Sequence, residues 1–369
     1  MFINFWYPIC TSADLPADTP VRSELLGLRF VAFRDTEGAP HVLADTCVHR
    51  GGSLSKGKVQ DGCVTCPYHG WRYNGDGHCV MVPSLAGEKP PARAKVDSYP
   101  VQEKYGIVFA FLGDAPEAER PPLYDIEQYG QDGWRESEIM HVNVPAYYQR
   151  SVENGLDPVH NEFVHPLQGA PATNMDTLES TEMPWGSRMY AHMGHLPEKA
   201  GTRMSDLRGD PKDLGAGSWH HGPNVLVTSI DLSADNNLTQ VFFEAPVDKS
   251  NTKIYFINLR NCMMDPAMDS KMYEVNMNIV HEDITVLENL FPIRTPETMT
   301  REILIGGDEV IVNYRKWLRK WENLGWRIDA KAMEDNFGDV AWAIPCPERR
   351  HSGNWVLDPV PLMPAKAGA

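Results

Sequence analysis

Short apolar or alternating runs separated by turn residues fill the chain from about residue 21 to 112. The run from Leu28 to Phe33 is followed by polar turn residues and then by His41 to Leu43, a pattern that predicts a hairpin. Asn74-Gly75 indicates another tight turn, because an Asn-Gly pair readily adopts the positive φ angles that short hairpin loops require. Tyr105 to Leu112 predicts a closing strand. We therefore expect the first part of the chain to be all-β.

The pattern changes after the stretch from Gly113 to Pro122, whose three prolines and several acidic residues predict a linker. Helical character follows at 147–163, and alternating runs within 185–260 favour an antiparallel sheet. Long helical stretches are expected at about 266–290 and 308–324. Strands followed by long helices predict an α+β second part. The predicted domains are residues 1–118 and 119–369.

Composition and charge exclude several classes of protein. Hydrophobic residues make up 42% and charged residues 23%, which is typical of a chain with a buried core in each domain. The net charge of −16 opposes binding to nucleic acid or to an anionic membrane surface. No apolar run approaches the roughly 18 residues of a membrane span, and residues 1–6 lack a basic flank followed by an apolar stretch. We expect a cytoplasmic protein that binds neither nucleic acid nor membrane.

Two mixed Cys/His pairs stand out in the first half. Cys47-x-His49 is followed, after 16 intervening residues, by Cys66-x-x-His69. Two thiolates with two imidazoles suit either a tetrahedral zinc ion or a [2Fe-2S] cluster in which two histidines replace two cysteines on one iron. Because common zinc fingers pair Cys with Cys and His with His, the mixed pairs favour the iron cluster while zinc stays the alternative.

The residues around these pairs carry a family resemblance. Cys47-Val48-His49-Arg50-Gly51-Gly52 and Cys66-Pro67-Tyr68-His69-Gly70-Trp71 closely resemble the Rieske signature, and the chain resembles the Rieske-type non-haem iron oxygenases. That resemblance implies an N-terminal all-β Rieske [2Fe-2S] domain. It also implies a catalytic domain in which long helices pack on an antiparallel sheet in a helix-grip-like fold and enclose a deep pocket.

A second cluster of metal-ligand residues lies at the start of the predicted second domain. On an ideal helix Asn154, Asp157 and His160 share a face because they are three residues apart. His165 would lie roughly 140° from His160, so both can face one ion only if the helix is broken or bulged between them. We predict that irregularity at residues 162–164.

The resemblance implies that His160 and His165 bind a mononuclear iron(II) as the imidazole pair of a 2-His-1-carboxylate triad. Asp283 is the preferred carboxylate, since it lies five residues before Glu288, as in the family pattern. The alternatives left open for the carboxylate are Glu282, Asp265 and Asp269.

Asp157 matches the family carboxylate that links the Rieske histidine of one subunit to an iron-ligating histidine of its neighbour. By that resemblance, His69 or His49 would approach His160 through Asp157 of the adjacent protomer, which implies a homotrimer. Asn154 matches the family's asparagine near the iron.

The implied activity is that of a terminal oxygenase that uses O₂ and NAD(P)H-derived electrons on an aromatic or other ring-containing small molecule. Because the chain shows no Gly-rich dinucleotide loop and no plant-type ferredoxin cysteine spacing, a separate ferredoxin and/or flavin reductase is expected to supply the electrons. Hydroxylation or oxidative demethylation is preferred over cis-dihydroxylation, and an electron-transfer protein without oxygenase activity is the remote alternative. The candidate pocket residues are Leu156, Val159, His220, His221 and Asn224.

Overall fold

A computed structural model of the chain describes residues 1–165, 172–193 and 215–366. The chain divides into two compact units, the first formed by Met1–Leu123 with Lys320–Ala369 and the second by Tyr124–Arg319. The predicted α+β class is confirmed, with an all-β first part and an antiparallel sheet with long helices in the second unit. No helix among the described residues is long and apolar enough to span a membrane.

Within its first 123 residues, all of them described, the first unit has three small sheets. Its strands in chain order are β1 (Phe5–Thr11), β2 (Val21–Leu25), β3 (Leu28–Arg34), β4 (Pro40–Ala44), β5 (Lys58–Gln60), β6 (Cys63–Thr65), β7 (Arg72–Tyr73), β8 (Cys79–Met81), β9 (Ser98–Tyr99), β10 (Val101–Lys104) and β11 (Ile107–Leu112). They pair in the orders β1-β11-β10, β2-β3-β4-β9 and β5-β6-β7-β8. The predicted hairpin is the antiparallel pair β3 and β4. The small β5–β8 sheet carries the loop that contains Cys66.

The second unit is one large antiparallel sheet with helices on it. Its elements in chain order are β12 (Arg135–Glu136), β13 (Met140–Val144), α1 (Tyr148–Leu156), α2 (Asn161–Val164), β14 (Glu179–Met183), β15 (Gly186–His192), β16 (Gly215–His221), β17 (Val225–Asp231), β18 (Asn237–Pro246), β19 (Thr252–Arg260), α3 (Asp269–Leu287) and α4 (Glu309–Asn323). The sheet order is β12-β19-β18-β17-β16-β15-β14, and β13 also pairs with β19. The part of the predicted sheet at 194–214 lies outside the described residues.

Helix α3 packs on this sheet through one stripe of side chains. Its buried residues Met272, Asn276, Val280 and Leu287 recur at intervals of four or seven, as expected for one face of a helix. Val280 and Leu287 join Phe256 of β19 in an apolar cluster. This packing fixes α3, and with it Asp283, above the sheet.

The last 50 residues belong to the first unit. The predicted division at 118/119 had assigned them to the second domain. They contain α5 (Ala330–Asp335), β20 (Trp342–Ala343) and β21 (Asp358–Pro359). The ring of Phe5 lies 4.8 Å from that of Trp321, and the fully buried carboxylate of Asp97 accepts a 2.8 Å hydrogen bond from Nη2 of Arg349. Periodicity along the chain locates such elements but does not indicate which core they join.

Candidate iron centres

The two Cys/His loops share one backbone conformation. In each loop the cysteine N–H donates to the carbonyl five residues later at 2.8 Å, and the N–H four residues later donates back to the cysteine carbonyl at 2.9 and 3.0 Å. The residues at that fourth position, Gly51 and Gly70, both have φ of +72°. A residue with a Cβ would be strained there, so glycine allows each loop to curl around its cysteine.

The cysteine side chains of these loops are buried, and the histidine side chains are exposed to solvent. Cys47 and Cys66 are each 2% exposed, whereas His49 and His69 are exposed. The two imidazole rings lie 4.4 Å apart, and His49 stacks on Trp71 at 4.6 Å with an interplanar angle of 4°. A group bound here would have its thiolate side in the core and its imidazole side at the surface of the first unit.

The spacing of the four side chains fits two metal ions better than one. A single zinc ion needs all of its ligand atoms within about 4 Å of one another. No three of these four side chains meet even a 4.8 Å limit, among the residues that the structure describes. A Cβ on Gly52 would lie 3.0 Å from Sγ of Cys66, so glycine keeps that space beside the thiol open. A [2Fe-2S] cluster, with the thiolates on one iron and the imidazoles on the other, fits this arrangement.

Tyr73 provides a hydrogen-bond partner for one of the thiols. Its Oη lies 3.2 Å from Sγ of Cys47, and both residues are buried. Burial raises the pKa of the Tyr73 phenol well above its usual value, so the hydroxyl keeps its proton. It can therefore donate to a Cys47 thiolate that a metal has deprotonated.

The second centre forms where α1 stops. Asp157 adopts φ −73° and ψ 119°, because the residue before a proline, here Pro158, is disfavoured in the helical region. The chain resumes as the single turn α2, with His160 immediately before it and His165 immediately after it. The prediction of an irregularity at 162–164 is wrong in position, since the break lies at 157–160. The shared helical face expected for Asn154, Asp157 and His160 is therefore also absent.

Three side chains converge beside this break. Nε2 of His160 lies 3.5 Å from Oδ1 of Asp283, and Nε2 of His165 lies 3.2 Å from the same oxygen. One ligand atom from each residue lies within 4.8 Å of the other two. His165 is 2% exposed, and the side chains of His160 and Asp283 are 13% and 20% exposed. Two imidazoles and one carboxylate on one side of a metal are the donor set of a mononuclear non-haem iron(II) site.

Each imidazole is oriented through its other nitrogen. Nδ1–H of His160 donates to the backbone carbonyl of Asp157 at 2.8 Å, and Nδ1–H of His165 donates to the carboxylate of Glu282 at 2.8 Å. Both Nε2 atoms thereby face Oδ1 of Asp283, and a metal bound here would replace the Nε2 protons that donate to that oxygen. Glu282, one of the alternative ligands considered above, instead orients His165. The only sign of this role in the sequence was its position next to Asp283.

Asn154 holds the carboxylate in place. Its Nδ2 donates to Oδ1 of Asp283 at 2.9 Å. Burial would raise the pKa of Asp283, but hydrogen bonds from His160 and His165 outweigh burial and lower the pKa to about 2. The carboxylate is therefore ionised and ready to bind a cation. The carboxylate of Asp157 points elsewhere, since its Oδ1 accepts from the N–H of Val159 at 2.8 Å.

The candidate pocket residues occupy varied surroundings. His220 is fully buried, donating from Nδ1 to Gly222 O at 3.0 Å and accepting at Nε2 from the N–H of Ser187 at 3.1 Å. Burial lowers the pKa of His220 to about 4, so it is neutral. Nδ2 of the buried Asn224 donates to the carbonyl of Glu244 at 3.1 Å. The side chains of His220 and Asn224 thus hydrogen-bond within the sheet and its turns.

The other three candidate pocket residues do not share these hydrogen bonds within the sheet. Leu156 is completely buried, Val159 is 38% exposed, and the ring of His221 lies 5.5 Å from that of Tyr124. None of the three belongs to the set of converging ligand atoms among the described residues.

A buried carboxylic acid lies behind α1. Glu244 of β18 is fully buried, and its Oε1 accepts a hydrogen bond from Oγ of Ser151 at 2.8 Å. Its Oε2 has no hydrogen-bond partner among the described residues. Burial raises the pKa of Glu244 to about 8, so the side chain is mostly protonated at neutral pH.

Comparison with known proteins finds a family match for each of two parts of the chain. A Rieske [2Fe-2S] domain model matches residues 5–100, and a vanillate O-demethylase oxygenase C-terminal domain model matches residues 144–324. The four Cys/His residues fall inside the first matched range, and His160, His165 and Asp283 fall inside the second. The chain belongs to the Rieske non-haem iron oxygenase family.

Relatives differ in how much of their length is matched. The methylxanthine N1-demethylase NdmA of Pseudomonas putida is 26% identical over 86% of this chain and 88% of its own. The chain spans about a quarter of the chlorophyllide a oxygenase of Chlamydomonas reinhardtii, at 45% identity over 163 residues, and 59% of protein TIC 55 of Arabidopsis thaliana, at 32% identity over 333 residues.

Solved structures share the fold. NdmA with caffeine superposes with a TM-score of 0.72 at 24% identity, covering 86% of this chain and 90% of that one. Dicamba monooxygenase bound to dicamba superposes with a TM-score of 0.72 at 22% identity, covering 87% and 97%.

Replacing Tyr73 by Phe should lower the reduction potential of the cluster. The substitution removes one hydrogen bond to the Cys47 sulfur, and about 1 kcal/mol of lost stabilisation corresponds to about 40 mV for one electron. A dye-coupled redox titration measures the change. Tyr99→Phe, which removes a buried hydroxyl bonded to the carbonyl of Ile344, is the matched control and should leave the potential unchanged. An unchanged potential in Tyr73→Phe would contradict this role.

Replacing Glu244 by Gln should change how stability depends on pH. Because its folded-state pKa is raised from 4.5 to about 8, Glu244 keeps a proton that the unfolded chain releases. Its contribution is fully present below about pH 4.5 and is lost as the pH rises towards 8, by at most about 1.4 kcal/mol per pH unit. Urea unfolding of Glu244→Gln should therefore show a flatter decline in stability from pH 5 to pH 8 than the native protein. The exposed Glu182→Gln is the control, and identical slopes in all three proteins would refute the prediction.

Proposed function

We propose that this protein is the terminal oxygenase of a multicomponent Rieske system, acting on an aromatic or other ring-containing small molecule with O₂ and NAD(P)H-derived electrons. A separate ferredoxin and/or flavin reductase supplies those electrons. The observation that carries the proposal is the convergence of two imidazole nitrogens and one carboxylate oxygen within 4.8 Å in a chain that also has the Rieske loops. An electron carrier has no need of that second donor set.

The proposed metal ligands form two sets. Cys47 and Cys66 would hold one iron of the cluster, and His49 and His69 would hold the other. The mononuclear iron(II) would be held by His160, His165 and Asp283. When bound, the cluster supplies single electrons and the mononuclear iron activates O₂.

The chain itself orients the donors. Asn154 and the two imidazoles keep the Asp283 carboxylate ionised, while Glu282 fixes the ring of His165. A metal held by these three donors on one side would keep room for O₂ and for rearrangement on substrate binding.

We propose that the active assembly is a cytoplasmic homotrimer. The exposure of His49 and His69 supports this, because a neighbouring subunit could contact the imidazole edge of the cluster. Asp157 is partly exposed and adjoins the His160 turn, so its carboxylate would link the two centres across that interface. A trimer would thereby supply the electron path between centres held by different chains.

Hydroxylation or oxidative demethylation is the favoured reaction. The relatives matched over most of their length are named as methylxanthine demethylases, and one matched structure is a monooxygenase. Cis-dihydroxylation is the alternative, supported by phthalate 4,5-dioxygenase of Pseudomonas putida, which is 27% identical over 70% of this chain.

A single turnover tests the proposal without knowledge of the electron donor. Chemically reduced holoprotein is mixed with ¹⁸O₂ and a panel of methoxy- and N-methyl-substituted aromatic rings. We expect one labelled oxygen atom in a hydroxylated product, or formaldehyde and demethylated ring in equal amounts. His160→Ala should lower the yield at least roughly a hundredfold, since loss of a residue that supports a metal site already costs ten- to a hundredfold.

The exposed His141→Ala is the matched control and should react like the native protein. Two labelled atoms in a cis-diol would favour the alternative reaction. Undiminished yield in His160→Ala would contradict the proposed centre.

A further inference from the structure

An open groove lies beside the second Cys/His loop, within the first unit. Its volume is about 440 Å³, and the residues of that loop that line it are Cys66, Pro67 and Gly70. A protein that occupied the groove would therefore contact the loop that supplies one of the thiolate ligands of the cluster. We call this feature the Lys56 groove, after one of the residues that line it.

The Lys56 groove is cationic. Lys56, Lys58 and Arg72 line it, whereas no Asp or Glu does among the described residues. Lys56 and Lys58 are exposed, and neither forms an ion pair in the part of the chain that the structure describes. Nη1 of Arg72 lies 2.6 Å from Oδ2 of Asp61. The charges of the two lysines are therefore left uncompensated in the groove.

A close backbone contact fixes the two lysines beside the loop. Gly57, the residue between them, lies so near to β6 that a Cβ on it would be 1.8 Å from the carbonyl oxygen of Thr65. Only glycine allows such a close approach. Lys58 is paired with Thr65 in the antiparallel register of β5 and β6. Because Thr65 directly precedes Cys66, the lysines are held against the strand that leads into the cluster loop.

The charge of this segment differs from that of the rest of the chain. Residues 48–72 contain four Lys or Arg residues and one acidic residue, Asp61. That local net charge of +3 leaves −19 for the rest of a chain whose net charge is −16. Because the Debye length is about 8 Å at physiological salt, an acidic protein near the groove would respond mainly to the local cations. The remaining charge would repel it in other orientations, so electrostatics would select this face.

The Lys56 groove is separate from the imidazole edge of the cluster. Neither His49 nor His69 lines the groove, among the residues that the structure describes. Under the proposed function the imidazole edge is occupied by the neighbouring subunit, so an electron donor needs another approach to the cluster. The groove offers that approach through the Cys66 loop.

We propose that the Lys56 groove is the docking surface for the electron donor, and that the donor presents an acidic surface, as a small iron–sulfur carrier of the ferredoxin class would. In this step one electron leaves the reduced carrier and is taken up by the Rieske cluster, with no bond made or broken. The transfer is downhill, because plant-type ferredoxins have lower reduction potentials than Rieske centres. The inference rests on the proposed function, and it identifies the docking surface and the charge class of the partner that this function requires.

Reduction of the oxidised holoprotein by an acidic plant-type [2Fe-2S] ferredoxin tests the inference. Reduced ferredoxin is mixed anaerobically with the holoprotein, and rapid freezing with electron paramagnetic resonance, which distinguishes the two reduced clusters, gives a second-order rate constant. Raising the salt concentration from about 20 to about 300 mM should lower that rate constant at least about tenfold, since screening weakens the attraction between the docking surfaces.

Charge reversal in the groove should slow this reduction. Lys56→Glu combined with Lys58→Glu should lower the rate constant at about 20 mM salt at least about tenfold and should remove most of its salt dependence. The same double variant should bind oxidised ferredoxin at least about tenfold more weakly in isothermal titration, a readout that needs no electron transfer.

Lys104→Glu combined with Lys253→Glu is the matched control. Both lysines are exposed and lie outside the groove lining, and the change in net charge is the same. The control should keep the rate constant and the affinity within about twofold of those of the native protein, because distant charges are screened.

Two measurements separate docking from damage to the cluster. Dithionite should reduce every variant to the same final visible spectrum. Thermal unfolding should show nearly the same midpoint in every variant, since the replaced lysines are exposed. If the groove double variant fails to fold, Lys58→Gln replaces it and should lower the rate constant about threefold.

The outcomes separate this inference from the proposed function. A rate constant that does not depend on salt, no reduction of the native protein by ferredoxin, or native rates in the groove variant would overturn the docking proposal. Equal slowing in the groove and control variants would also overturn it, because the effect would then come from net charge alone. The single turnover with ¹⁸O₂ uses chemically reduced protein and no donor. Product formed there leaves the oxygenase proposal standing whatever the docking results are, and absence of product would refute the oxygenase proposal alone.

Discussion

The catalytic unit depends on one partly buried carboxylate, that of Asp283, and on the three side chains that surround it. An ionised carboxylate is unfavourable in such a place unless donors compensate for the lost water. His160, His165 and Asn154 provide that compensation, and Glu282 fixes His165 from behind. The same groups that keep Asp283 ionised also aim two imidazole nitrogens at it. The arrangement is thus prepared for a divalent cation before one binds.

Backbone constraints create the positions from which these groups act. Pro158 ends α1, and the resulting turn places His160 and His165 on either side of a single helical turn. In the other unit, Gly51 and Gly70 let two loops curl in the same way around buried cysteines. One candidate centre therefore depends on a proline, whose backbone is restricted, and the other on two glycines, whose backbone can adopt positive φ.

Local chemistry was the predictable part of the molecule. The Cys/His spacing and the family resemblance led to the Rieske loops, and the long helix with Asp283 was placed correctly because its apolar stripe is regular. The position of the helix break was mispredicted because an ideal helix was continued through Asp157-Pro158, although the proline signal was present. The packing of residues 320–369 on the first unit could not be obtained from periodicity, since it depends on contacts between distant segments such as Asp97 and Arg349.

The central claim is that this chain holds two different iron centres, and a metal count tests it most directly. Iron and acid-labile sulfide per chain are measured in anaerobically purified protein supplied with Fe(II), beside the Asp283→Ala variant. The account predicts about three iron to two sulfide in the native protein and about two to two in the variant, with the visible spectrum of the cluster unchanged. Two iron to two sulfide in the native protein, with no gain on adding Fe(II), would contradict it.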